Sequence, residues 1–180
     1  IRFESKSKTK RKILKSTQME KRILQAALEL IAKNGINKFD LVSLGRELDL
    51  SSSHLLYHIS SLDEVIAKLL KDMFLNLNHK IKLQTTEAST NSERLKQYLA
   101  SIYSELMENE NHHSLYRQTL ALGPHQKEIS TMLSHSSSAC KDYLTILLND
   151  TQKAKSFQVI IVGLLCQNKI SKQEFMDYFK

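Results

Sequence analysis

One proline and four glycines in 180 residues leave few places where the chain can turn sharply. A β-rich fold needs many such places, so its architecture is expected to be all-α. Cysteine is equally scarce. Cys140 and Cys166 stand alone, without the spacing of a metal set, a redox pair or a disulfide framework. They read as reduced thiols in a cytoplasmic protein. No apolar run approaches the roughly 18–20 residues that span a bilayer, so no membrane partner is expected. No secretory signal pattern is visible. Ile1 stands where an initiator methionine would, so a trimmed start is expected. The catalytic signatures are missing too: no G-x-S-x-G, no phosphate-cradling glycine loop, no H-E-x-x-H, no telling Cys–His pair. No enzyme is expected. His112, His113, His125 and His135 invite a metal reading. However, adjacent helical residues point about 100° apart, and no carboxylate or thiol four residues on completes a ligand set. They read as surface or loop histidines, with no metal and no cofactor.

What is present is basic charge, concentrated at one end. Residues 1–22 hold nine Lys and Arg against two Glu, which accounts for the whole net charge of +7 and leaves the remainder neutral. A polybasic leading arm, 1–16, supplies salt-dependent attraction to phosphate without reading sequence. Lys10, Arg11 and Lys12 are its candidate DNA contacts.

The second informative stretch is 40–66, DLVSLGRELDLSSSHLLYHISSLDEVI. Leu41, Leu44 and Leu48 recur on one helical face, and Asp40 before them can accept from orphan amides as an N-cap. After Asp49 and Leu50, Ser51 is a second N-cap. The segment 52–58 that follows carries one clear inward position, Leu55. Its other side chains, apart from Leu56, can all hydrogen-bond. A short helix that buries one leucine and shows polar tips suits a groove. Helix, tight turn, helix is the helix-turn-helix arrangement, whose second helix enters the major groove. The candidate DNA contacts here are Arg46, Ser51, Ser52, Ser53, His54, Tyr57 and His58.

The stretch 50–66, LSSSHLLYHISSLDEVI, resembles the signature of tetracycline-repressor-type (TetR) regulators, roughly V-S-x-G-T-L-Y-x-H-F-x-x-K-E-E-L. Leu50, Ser51, Leu55, His58, Asp63, Glu64 and Val65 fit it. Asp49 and Ser53 stand where the family has glycine. Leu56 and Leu62 replace a tyrosine and a lysine that commonly touch phosphate. The resemblance covers about 20–66 and is weak beyond. It implies an all-α fold with a helix-turn-helix head, and a body that dimerises through its last two long helices and holds an effector pocket.

Along the chain, apolar spacing predicts a helix over 17–34, with Thr17 and Glu20 spaced as a capping box, stopped by Asn34-Gly35 with the glycine left-handed. Helices over 40–47 and 51–58 complete a head, 17–60, cored by Leu24, Leu28, Ile31, Phe39, Leu44, Leu48, Leu50 and Leu55. Ser61 and Glu64 box the start of a helix reaching about Thr85. At 24 residues it is roughly 36 Å long and is the natural connector to the body. The body, 61–180, is expected to add helices over 92–109, 113–122, 125–148, 153–168 and 171–180, with a soft, small stretch, SHSSSA, within the third of these.

The run 157–166, FQVIIVGLLC, is apolar nearly all round and asks for burial on two sides. One side can be a symmetry mate, with Gly163 permitting close approach. Val159, Ile160, Val162, Gly163 and Gln167 are the candidate dimer contacts. For the effector pocket implied by the resemblance, the candidates are Phe74, Tyr103, Met107, Tyr116, Leu120, Met132, Cys140, Tyr143 and Phe157, side chains that are as often plain core. The combined reading is a dimeric, sequence-specific regulator, most simply a repressor. It would bind a palindromic site on double-stranded DNA and respond to a small apolar effector. The rival readings are a helical adaptor whose helix-turn-helix binds a protein, a small helical enzyme or carrier using the body cavity, and a non-specific nucleic-acid binder driven by the arm.

Overall fold

A computed structural model describes residues 2–122, 126–167 and 170–180, with side chains from residue 17 onward. All regular structure among these residues is helical. The chain forms two compact units, residues 1–69 and residues 70–180.

In the first unit, helix α1 runs Arg2–Asn34. It begins well before the expected start at residue 17, so Thr17 lies inside the helix and does not cap it. The reason is local: residues 2–34 hold no glycine or proline and many Lys, Arg, Glu, Gln and Leu, which lose little freedom in a helix. The buried stripe is Ile23, Ala26, Ala27 and Ile31. Leu24 and Leu28, expected in the core, are half-buried, as is Leu50. The helix ends at Gly35, whose φ of 88° and ψ of 151° place it in a region open mainly to glycine, rather than in the left-handed helical well. A 3-10 turn, Ile36–Lys38, then brings Phe39 into the core.

Helix α2 spans Leu41–Leu48 and α3 spans Ser52–His58. Asp40 caps α2: its carboxylate accepts from the Ser43 amide at 2.7 Å, while the Asp40 amide donates to Ser43 Oγ at 3.2 Å. Asp49 makes the turn with φ 56° and ψ 46°, a left-handed conformation that aspartate tolerates better than most residues. The turn is tight because Gly45 lacks a side chain. The Leu50 amide donates to the Gly45 carbonyl at 2.8 Å, and a β-carbon on Gly45 would lie 2.5 Å from the Leu50 carbonyl oxygen. Ser51 caps α3 by accepting from the His54 amide at 3.2 Å. Leu44, Leu48, Leu55 and Ile59 close the core beneath.

Helix α4, Leu62–Thr85, starts in this unit and continues into the second. Ser61 Oγ accepts from the Glu64 amide at 3.1 Å, and Glu64 reaches back to the Ser60 amide at 2.8 Å. That bond, with the Lys68 ammonium at 3.1 Å, holds the Glu64 carboxyl down at about 2. Lys68 also pairs with Glu20 of α1 at 2.7 Å, and Val65, Ile66 and Leu69 are buried.

The second unit contains the rest of α4, then α5 (Asn91–Tyr103), α6 (Glu110–Leu122), α7 (Lys127–Leu148), α8 (Thr151–Leu165) and α9 (Lys172–Asp177). The single helix expected over 92–109 is instead α5 followed by a π-turn, Ser104–Glu108. That turn carries Glu105, Leu106 and Met107 inward. Buried Glu105 anchors it, meeting His112 Nδ1 at 3.0 Å and Lys80 Nζ at 3.4 Å. His113 is likewise inside, its Nε2 3.0 Å from the Leu165 carbonyl oxygen. The reading of both as surface or loop histidines is therefore corrected: each sits at a helix–helix junction that needs a polar bond. His125 lies outside the described residues, and His135 is exposed. Helix α7 packs along α8 and against α5 and α6. Ser171 caps α9, whose Phe175 is buried and stacks on Tyr103 at 5.5 Å. Among the described residues no helix is long and apolar enough to cross a membrane.

Candidate functional site

Two features stand out, one in each unit. The first is the outer face of α3. Leu55 alone is buried; Ser52, Ser53, His54 and Tyr57 are exposed, Tyr57 at 74%. The seven-residue helix is held by its cap and one leucine, so its exposed side chains have no packing duty. His54 and His58 lie one turn apart with rings 5.4 Å from each other, and Tyr57 meets His58 edge-on at 5.1 Å. His58 is half-buried, so it supports this cluster more than it extends it. Ser51 spends its oxygen on the cap and lies 3.1 Å from Ser53 Oγ. Arg46 is exposed on α2. The structure thus brings Arg46, Ser52, Ser53, His54 and Tyr57 to the surface as a set of donors and acceptors of the kind that reads base edges and phosphates. Val42 and Leu56 are exposed apolar side chains of the same unit. The side chains of Lys10, Arg11 and Lys12 lie outside the described residues.

The second feature is a cavity of about 790 Å³ within the second unit. Six of the nine expected pocket residues line it: Phe74, Tyr116, Leu120, Met132, Cys140 and Tyr143. Three do not. Tyr103 donates its hydroxyl to the Ile170 carbonyl at 2.9 Å and packs on Phe175, Met107 is core, and Phe157 stacks on Phe179 at 5.1 Å. Phe175 of α9 draws Tyr103 and Phe179, just after α9, draws Phe157, and where these rings dock was not visible in helical spacing. Sequence reasoning missed Tyr98, Ile102, Leu106, Ile161 and Leu165, which form the buried floor. It also missed Lys71, Asn78, His135 and Gln158, which add polar groups. The available signal was the SHSSSA stretch: Ser134, His135, Ser136, Ser137 and Ala139 form one wall. Small side chains there leave the space that larger ones would fill. Burial pushes the Tyr116 phenol up to about 12 and raises Tyr98 and Cys140 as well, so these groups stay neutral. Tyr98 shares a hydrogen bond with Cys140 and lies 4.9 Å from the Tyr143 ring. Among the described residues no group of three or more His, Cys, Asp or Glu could hold a metal ion.

The outer face of α8 is a third surface. Val159 is 72% exposed, Gly163 and Gln167 are exposed, and a β-carbon on Gly163 would meet nothing within 4 Å. Ile160 is half-buried. Val162, expected to face a partner, instead lines the cavity. The apolar surround of α8 therefore divides between its own body and solvent.

No family model and no curated protein matches the sequence. Solved structures do match the fold. A TetR transcription regulator from Haloarcula marismortui ATCC 43049 superposes with a TM-score of 0.73 at 16% identity, over 83% of this chain and 85% of that one. The ketosteroid transcriptional regulator KstR2 of Mycobacterium tuberculosis gives 0.62 at 13% identity, over 89% and 91%. The multidrug binding protein EbrR, complexed with imidazole, gives 0.67 at 13% identity, over 89% and 87%. The chain has the all-helical fold of these proteins.

Proposed function

We propose that this protein is a TetR-type regulator of transcription. It binds a palindromic site on double-stranded DNA as a homodimer, and a small molecule in the body cavity modulates that binding. It acts by binding, not by catalysis. The carrying observation is α3: a capped helix that spends one leucine on the core and turns Ser52, Ser53, His54 and Tyr57 to solvent. The solved regulators and the drug-binding protein of the same fold support this reading.

Each part has a physical role. Arg46 and, from the arm, Lys10, Arg11 and Lys12 attract phosphate; the α3 tips choose the bases. The exposed side of α8, with Val159 and Gly163, meets the same face of a second copy, as two-fold symmetry requires. Two recognition helices then meet two half-sites. Helix α4 belongs to both units, with Val65 and Ile66 in the head core and Phe74 and Leu77 at the cavity, so a ligand that favours one setting of this helix biases the head. Release from DNA on ligand binding is the simplest outcome and makes the protein a repressor.

Random-site selection followed by mobility shift is the test. An enriched inverted repeat is expected. Failure to enrich any repeat across a range of salt would remove the sequence-specific reading. It would favour the protein-adaptor alternative, to which exposed Val42 and Leu56 point.

A further inference from the structure

The cavity's charged groups are unevenly placed, and their placement selects a class of ligand. Among the described residues no aspartate or glutamate lines it. Among the described lining residues the basic side chains are Lys71 of α4 and His135 of α7. Both are exposed, whereas Tyr98, Ile102 and Ile161 on the floor are buried. The cavity therefore opens between α4 and α7, with a basic side chain on each lip and a neutral interior. This is not a by-product of a basic surface, because the chain beyond residue 22 has no net charge. Among the described residues Lys71 makes no ion pair. Ser137, on the α7 lip with His135, accepts from Gln158 Nε2 at 2.6 Å, which leaves its own O–H to donate elsewhere.

We propose that the cavity takes an amphipathic organic acid: an apolar aliphatic or aromatic body inside, with one anionic head at the mouth between Lys71 and His135. This rests on the reading of the cavity as the effector site. An organic cation would have to shed water with no counter-charge among the described lining residues; aromatic faces such as Phe74 and Tyr143 return only part of that cost. A neutral molecule can fill the interior yet gains nothing at the lips. An acid gains at both ends, and its head need not be fully dehydrated.

The test uses the full-length Cys166→Ser protein and three probes of one chain length, dodecanoate, dodecanol and dodecyltrimethylammonium, all below their micellar range. Three readouts are followed: calorimetric affinity, the rate at which N-ethylmaleimide modifies Cys140 inside the cavity, and affinity for the selected DNA site with and without each probe. Dodecanoate is expected to bind on the order of fivefold more tightly than dodecanol, as a partly exposed charge contact allows. The ammonium is expected to bind most weakly, and bound dodecanoate to slow Cys140 modification. Lys71→Met with His135→Leu, both surface changes, should bring dodecanoate down to the level of dodecanol while dodecanol is unaffected. Equal or tighter binding of dodecanol or the ammonium overturns the acid proposal and leaves the effector cavity standing. If no probe binds or protects Cys140, the cavity reading itself fails. Protection by dodecanoate without any change in operator affinity keeps the acid site and removes its effector role.

Discussion

At the scale of single residues, what decides the head is an absence. Gly45 has no β-carbon, and the Leu50 carbonyl oxygen occupies the space one would need. The neighbour is backbone, so it cannot swing aside as a side-chain tip would. Ala in a helix interior is otherwise favoured over Gly by about 1 kcal/mol. Overpacking typically costs about 1–3 kcal/mol. Gly45→Ala is therefore expected to be net destabilising by about 1 kcal/mol and Gly45→Val by more, measured as a lower urea midpoint. An unchanged or raised midpoint for Gly45→Ala would show that the turn is looser than described. Little of this was legible in the sequence. Asp49 as the turn residue was apparent, because its place between two apolar periods marks it. The need for glycine four residues earlier depends on how closely α3 returns to α2, which no local pattern reports.

At the scale of elements, the caps Asp40, Ser51 and Ser61 were legible, whereas Thr90 and Asp150, which cap α5 and α8, and the boundaries set by packing were not. Asp40, Ser51, Ser61 and Ser171 begin helices as their chemistry dictates, by accepting from amides that have no helical partner. Thr17 did not, because nothing before it breaks the helix. The π-turn at Ser104–Glu108 escaped periodicity because it is held by Glu105 reaching Lys80 and His112, contacts from other helices. Helix α8 is the element on which assembly turns. A β-carbon on Gly163 meets nothing within the chain, so Gly163→Ala should raise or preserve monomer stability, by up to about 1 kcal/mol. Val159→Glu with Gly163→Glu places charge on the proposed interface without touching the monomer core. Sedimentation equilibrium should then show dimer affinity at least tenfold lower with helicity unchanged. A double variant that still dimerises as tightly as the parent would move the interface elsewhere.

At the scale of the whole molecule, the arm and the recognition helix divide the work of binding. Residues 1–22 carry the entire net charge, so their contribution is non-specific and fades with salt. Removing residues 1–16 deletes seven basic and one acidic side chain. Affinity for the selected site and for random duplex should both fall, and the slope of log K against log salt should flatten. The ratio between the two affinities should survive, because α3 is untouched. A mobility-shift series over salt reads both quantities. Loss of the ratio would make the arm, and not α3, the reader of sequence.

Composition and local spacing sufficed for an all-α chain, a charged leading arm, and a helix-turn-helix with its polar tips outward. Those follow from backbone propensity, capping and the 3.6-residue period, which act over a few residues. The cavity, its neutral floor and basic lips, and the split of α8 between body and solvent came only from the tertiary structure. Whether an aromatic side chain fills a core or lines a space depends on what stands opposite. For Tyr103 the answer was Phe175 of α9 and for Tyr143 it was Tyr98 of α5, each a partner far away in sequence.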